Sequence, residues 1–201
     1  MQDNASQEIP GLAAAEDNEQ TRRQLAFSGT LLPIAGVWCQ QFTPAHWVNL
    51  SLVRSPFMGG DRGNSRSVVS ILEFLWIVSP SYRPGSFWRM LFFYARHYRK
   101  IKPATAAEIY DYLDAAFQDA PAGSGNKTAS RSYYAGVASL CDFFAEEYGW
   151  QDGCTLGTPI ARLFQYYNVA RKRKDPQAIL FNPSDRVRAQ AQHLRNAENA
   201  R

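Results

Sequence analysis

Residues 121–128, PAGSGNKT, are the part of this 201-residue chain that comes nearest to a known reactive motif. They end in Lys127 and Thr128, as a phosphate-binding loop of the form G-x-x-x-x-G-K-[ST] does. Both defining glycines are missing, replaced by Pro121 and Asn126. The preceding IYDYLDAAFQDA has a helical pattern where such a loop follows a strand. Without the glycines the backbone N–H groups cannot curl around a phosphate. The segment therefore reads as a linker, and a nucleotide enzyme resting on Lys127 and Thr128 is a minor alternative.

Other reactive groupings are thinner still. His46, His97 and His193 stand far apart, and none pairs with Cys or a carboxylate at a metal-ligand spacing. Cys39, Cys141 and Cys154 are an odd number without close spacing, as expected of reduced thiols rather than a disulfide framework. No nucleophile elbow is present. Asp142, Glu146 and Glu147 offer carboxylates, but acids so placed on a helix usually line a solvated face. The residues predict a protein that is not an enzyme and has no cofactor or metal.

Binding chemistry is better represented. SFWRMLFFYARHYRKIK (86–102) interleaves rings with Arg89, Arg96, Arg99 and Lys100, the mixture that holds single-stranded nucleic acid. A helical reading places Trp88, Leu91, Phe92, Ala95 and Tyr98 on one apolar face, with Phe87, Met90, Tyr94 and Ile101 in a neighbouring row. Arg89, Phe93, Arg96 and Lys100 take the remaining side. Rings committed to a core cannot stack on bases, which leaves Phe93 as the ring expected among the cations. A second cationic run, Arg171, Lys172, Arg173 and Lys174, either joins such a site or complements a helix C-terminus.

The composition sharpens this. The chain has 5 Trp, 10 Tyr and 12 Phe, more rings than a domain of this size need bury, so an exposed aromatic patch for a partner is expected. The net charge of +4 conceals an asymmetry. Residues 1–20 carry five acids and no base, whereas 82–103 carry six bases and no acid. The longest apolar run, Val68–Val78, is far shorter than the roughly 20 residues of a membrane span, so no membrane contact is expected. The N-terminus lacks the basic start and apolar run of a signal peptide.

The elements follow from caps and periodicity. LLPIAGVW, broken by Pro33 and Gly36, predicts an extended or irregular segment. Thr43-Pro44 opens a helix with Trp47, Leu50 and Val53 on one face, and PFMGGDRGN is a loop. Val68–Val78 favours a buried helix, with a strand as the alternative because five residues are β-branched. Thr105 and Glu108 form a capping-box pair. Helices follow from Tyr133 or Tyr134 to Tyr148 and over Ile160–Lys174, and a last one carries the stripe Val187, Ala191 and Leu194. The fold class is all-α: one domain of six or seven helices (25–176), with an acidic arm (1–24) and a basic C-terminal helix or tail (177–201).

Three strings give a likeness: LSLVRSPFMGGDRG, SVVSILEFLWIVSPSYR and TPIARLFQYYNVARK. Their arrangement over residues 35–175 resembles small helical proteins encoded among bacteriophage tail genes, particularly tail assembly chaperones. The resemblance implies a non-enzymatic protein of virion assembly, acting in the host cytoplasm or kept in the virion. Its implied partner is the tape-measure protein or another tail protein. Candidate contact residues are Phe57 and Met58 in the loop, Phe93, and Val187 and Leu194 of the last helix. The alternative is a basic helical nucleic-acid-binding protein using Arg89, Arg96, Arg99, Lys100 and Arg171–Lys174.

Overall fold

Residues 23–28 are helical, and two short strands follow them. Leu32–Ile34 (β1) and Val37–Cys39 (β2) pair antiparallel, with Ile34 opposite Val37 and Pro33 opposite Trp38. Ala35 and Gly36 between them have φ of +47° and +72°, the left-handed conformation of a tight hairpin turn. Ile34, Val37 and Cys39 face the core while Trp38 faces out. The extended segment read from Pro33 and Gly36 is thus a hairpin in a chain expected to be all helix. The computed structural model describes residues 21, 23–59, 67–120 and 136–176. Val187 and Leu194, Lys127 and Thr128, and both charged end segments (1–20 and 177–201) lie outside the described residues.

The rest is mostly helical. In chain order the helices are α1 (Pro44–Leu52), α2 (Pro56–Gly59), α3 (Val68–Val78), α4 (Phe87–His97), α5 (Thr105–Ala116), α6 (Gly136–Tyr148), α7 (Asp152–Gly157) and α8 (Ile160–Lys174). A 3₁₀ turn, Tyr98–Lys100, extends α4. Val68–Val78 is a helix, not a strand, and α3 is the central element: Ile71, Leu72 and every residue from Phe74 to Val78 are buried. A helix so apolar along its length needs cover on most sides. The hairpin joins it where the Gln40 N–H donates to the Val78 carbonyl at 2.8 Å.

Two local contacts depart from the expected caps. Glu108 does not close a capping box with Thr105. Its carboxylate accepts from the Ala35 N–H at 2.9 Å and ties the hairpin turn to α5, while the Thr105 hydroxyl accepts from the Lys102 N–H at 3.1 Å. The capping box lies instead at α1. Thr43 Oγ1 accepts from the His46 N–H at 3.3 Å, and His46 Nδ1 accepts from the Thr43 N–H at 3.2 Å. An imidazole can accept there only while unprotonated.

Burial lowers the His46 pKa from 6.5 to about 4. The unfolded chain therefore takes up a proton that the folded one refuses. The stability linked to His46 is complete above about pH 6.5 and is lost as pH falls toward 4, by up to about 3 kcal/mol. Comparing urea unfolding at pH 7 and pH 4.5 checks this. His46→Gln, which keeps an N3 cap partner, is expected to show a smaller loss than the wild type.

The α8 end of the molecule is pinned by a buried ion pair. Arg23 Nε lies 2.9 Å from Asp119 Oδ1, whose side chain is almost wholly buried, and Asn168 Nδ2 donates to the Asp119 carbonyl at 3.0 Å. Breaking a buried pair leaves a desolvated charge. Asp119→Ala is expected to cost about 3 kcal/mol, read as a lowered urea midpoint.

Candidate interaction face on helix α4

Helix α4, FWRMLFFYARH, turns a different side to the core from the one its rings suggest. Phe93 is buried, 7 % exposed, with its ring 5.3 Å from Trp76 of α3 and 4.5 Å from His97 one turn on. Met90, Tyr94 and Ile101 pack partly buried along the same side. The expected inward face is the outward one. Trp88 is 77 % and Phe92 69 % exposed, and Phe87, Leu91 and Tyr98 are exposed beside them. Phe93 is therefore a core residue and not the ring left among the cations.

The outward residues form a ridge with a groove along one flank. Phe87 and Trp88 meet edge to face at 5.6 Å. A groove of about 1010 Å³ runs between α4, the end of α3 and the hairpin. Trp88 and Phe92 border it on α4, and Trp38, 61 % exposed, borders it on β2. Arg83, Arg89, Arg96 and Lys100 also line it, and among the described residues no carboxylate does. The side chain of Lys100 lies close to Gly36, whose backbone presents no Cβ there.

The electrostatics follow from that one-sided charge. His97 also lines the groove, and its Nδ1 is buried with no hydrogen-bond partner among the described residues. Burial first, then the charges of Lys100 and Arg96, lower its pKa. The imidazole is therefore held neutral between rings and cations, and the net positive charge stays on the arginines and Lys100.

The other expected contact residues lie elsewhere. Phe57 is buried against Phe74 at 5.1 Å, and Met58 packs half-buried beside the core, so the expected loop begins as a short helix facing inward. The cations Arg171–Lys174 end α8, on a different element from the groove. Arg173 and Lys174 converge on Glu147 at 3.4 and 2.6 Å, and Arg173 lies 5.6 Å over the Tyr148 ring. The hydrogen bond from Lys174 holds the Glu147 carboxyl below its ordinary range. Arg99 is exposed on the 3₁₀ turn beyond α4.

Sequence reading placed Arg89, Arg96 and Lys100 together, and the structure brings them into one groove. It missed Trp38 and Arg83, which come from separate elements, and it assigned Trp88 and Phe92 to the core. Among the described residues no three His, Cys, Asp or Glu side chains gather as a metal site, and no helix is long and apolar enough to cross a membrane. Compared with known proteins, the chain matches no family model, no curated protein and no solved structure.

Proposed function

We propose that this is a non-enzymatic assembly protein of a bacteriophage, of the tail-chaperone or tail-structural type, which works by holding a protein partner on the outward ridge of α4. The observation that carries the reading is the exposure of Phe87, Trp88, Leu91, Phe92 and Tyr98 together. Singly exposed apolar residues are ordinary, but a contiguous patch with arginines at its rim has the composition of an interaction surface. Leu91 and Phe87 lie on the ridge away from the groove, which suits an apolar protein segment better than a row of stacked bases. The phage setting rests on the three sequence strings, and the implied partner is the tape-measure or another tail protein. Such a protein acts in the host cytoplasm during assembly or stays in the virion.

A second reading is favoured by one feature: among the described residues, Trp38, Trp88 and Phe92 share their groove with four cations and no acid. That combination also suits single-stranded nucleic acid. Salt separates the two. Binding to phosphates releases counterions and collapses as salt rises, whereas apolar burial does not. The immobilised protein is expected to retain a tail protein from cells co-expressing phage tail genes, and to keep it at about 0.5 M salt, where surface charges are screened. Retention abolished by that salt, or by nuclease, would favour the nucleic-acid reading.

A further inference from the structure

On the other flank of α4 lies a smaller cleft of about 280 Å³, between the second half of α3 and the first turns of α4, which shares Trp76 and Arg83 with the cationic groove. Unlike the groove, it has an acid in its lining, so with Arg83 it carries one charge of each sign. Glu73 is the one acid lining it, on a helix whose other residues except Ser70 are apolar, and it has no hydrogen-bond or ion-pair partner among the described residues. The surrounding walls are Trp76, Tyr82, Phe87 and Met90. Trp76 and Tyr82 meet edge to face at 5.7 Å, and the exposed Phe87 belongs both to this cleft and to the ridge. Arg83 also borders the cleft and keeps its charge, but its Nη1 donates to the Tyr82 carbonyl at 2.8 Å and it forms no ion pair with Glu73 among the described residues.

A carboxylate inside aromatic walls is the chemistry that recognises an organic cation, through charge and through the ring faces. We propose that this cleft receives one lysine or arginine side chain of the partner protein, beside the point where that partner crosses the α4 ridge. The proposal rests on the ridge being the partner surface. Two further facts support it. The charge of Glu73 helps to raise the Tyr94 phenol, after burial, which places the carboxylate toward α4. Burial also raises the Glu73 pKa, as it does for a carboxylate that lacks a cation. A partner's basic side chain would supply that cation, so the docking segment carries a base on this side and tolerates acids on the groove side.

The chain has three methionines, which makes ¹³C-methyl methionine NMR of the full-length protein a clean reporter. Met90 lines the cleft, while Met58 packs beside the core elsewhere. Titration with N-acetyl-lysine methylamide or N-acetyl-arginine methylamide, to roughly 50 mM, covers the millimolar affinity expected of one side chain. The Met90 signal is expected to shift saturably while Met58 stays fixed. Glu73→Gln is expected to weaken the response about tenfold, and Phe87→Ala, at an exposed position, a few-fold. No Met90 shift, or an equal shift with the uncharged N-acetyl-norleucine methylamide, would overturn the proposal. The titration contains no partner, so its result is independent of the ridge. A silent Met90 overturns the cleft whatever a capture assay gives, and capture indifferent to Trp88→Ala overturns the ridge whatever Met90 does.

Discussion

The double substitution Trp88→Ala, Phe92→Ala is expected to weaken partner capture by at least about a hundredfold while leaving the urea midpoint of unfolding unchanged. Interface energy concentrates in a few large rings, each worth about 2 kcal/mol or more when truncated, and neighbouring effects are not additive. Two such residues account for about two decades in affinity. Stability is untouched for a separate reason. Both side chains are largely exposed and so bury little apolar area in the free protein. Substitutions at such positions usually fall within about 0.5 kcal/mol. A binding isotherm with the captured tail protein, run beside urea denaturation, reads both halves of this expectation.

The neighbouring position behaves in the opposite way. Phe93→Ala is expected to destabilise the fold by about 3–5 kcal/mol, the usual cost of removing a buried phenylalanine and leaving a cavity. Its ring sits against Trp76 and His97 and is buried among the residues that join α4 to α3. Phe92→Ala, one residue away, is expected to change stability by less than about 0.5 kcal/mol. Chemical denaturation of these two single variants reports directly which side of α4 faces in. Equal losses at both positions would mean that the helix is turned differently.

Much of the scaffold can be read from the sequence because its signals are local. Thr43-Pro44 marks the start of α1, and Tyr148 and Gly149 mark the end of α6, where Gly149 has φ of +65°. Length outweighed β-branching at Val68–Val78, as expected for a helix buried on most sides. The hairpin was too short, at three residues per strand, for its alternation to stand out. Glu108 left its expected cap because a partner distant in sequence, Ala35, had an N–H to satisfy. No local rule contains that contact.

The orientation of α4 was illegible for a different reason. Its apolar residues cover roughly 260° of the helix circumference at 100° per residue, so periodicity leaves several choices of inward side. The stripe Met90, Phe93, Tyr94, His97 and Ile101 follows the helical repeat as closely as the one through Trp88 and Phe92. The cations between the two stripes can edge either one. What decides is the surface that α3 presents, above all Trp76, which packs against the rings of both Phe93 and Tyr82. That tertiary choice turns an apparent core face into an exposed ridge. It also removes the objection that the rings of this helix are committed elsewhere.

The surface claim is open to one direct measurement. The photoreactive residue p-benzoylphenylalanine, placed at position 92 in cells co-expressing phage tail genes, is predicted to form a single discrete adduct with a tail protein. The same residue at position 154, exposed on α7, is predicted to form none. An adduct from position 154 with none from position 92 would contradict the assignment of the α4 ridge as the surface on which this protein holds its partner.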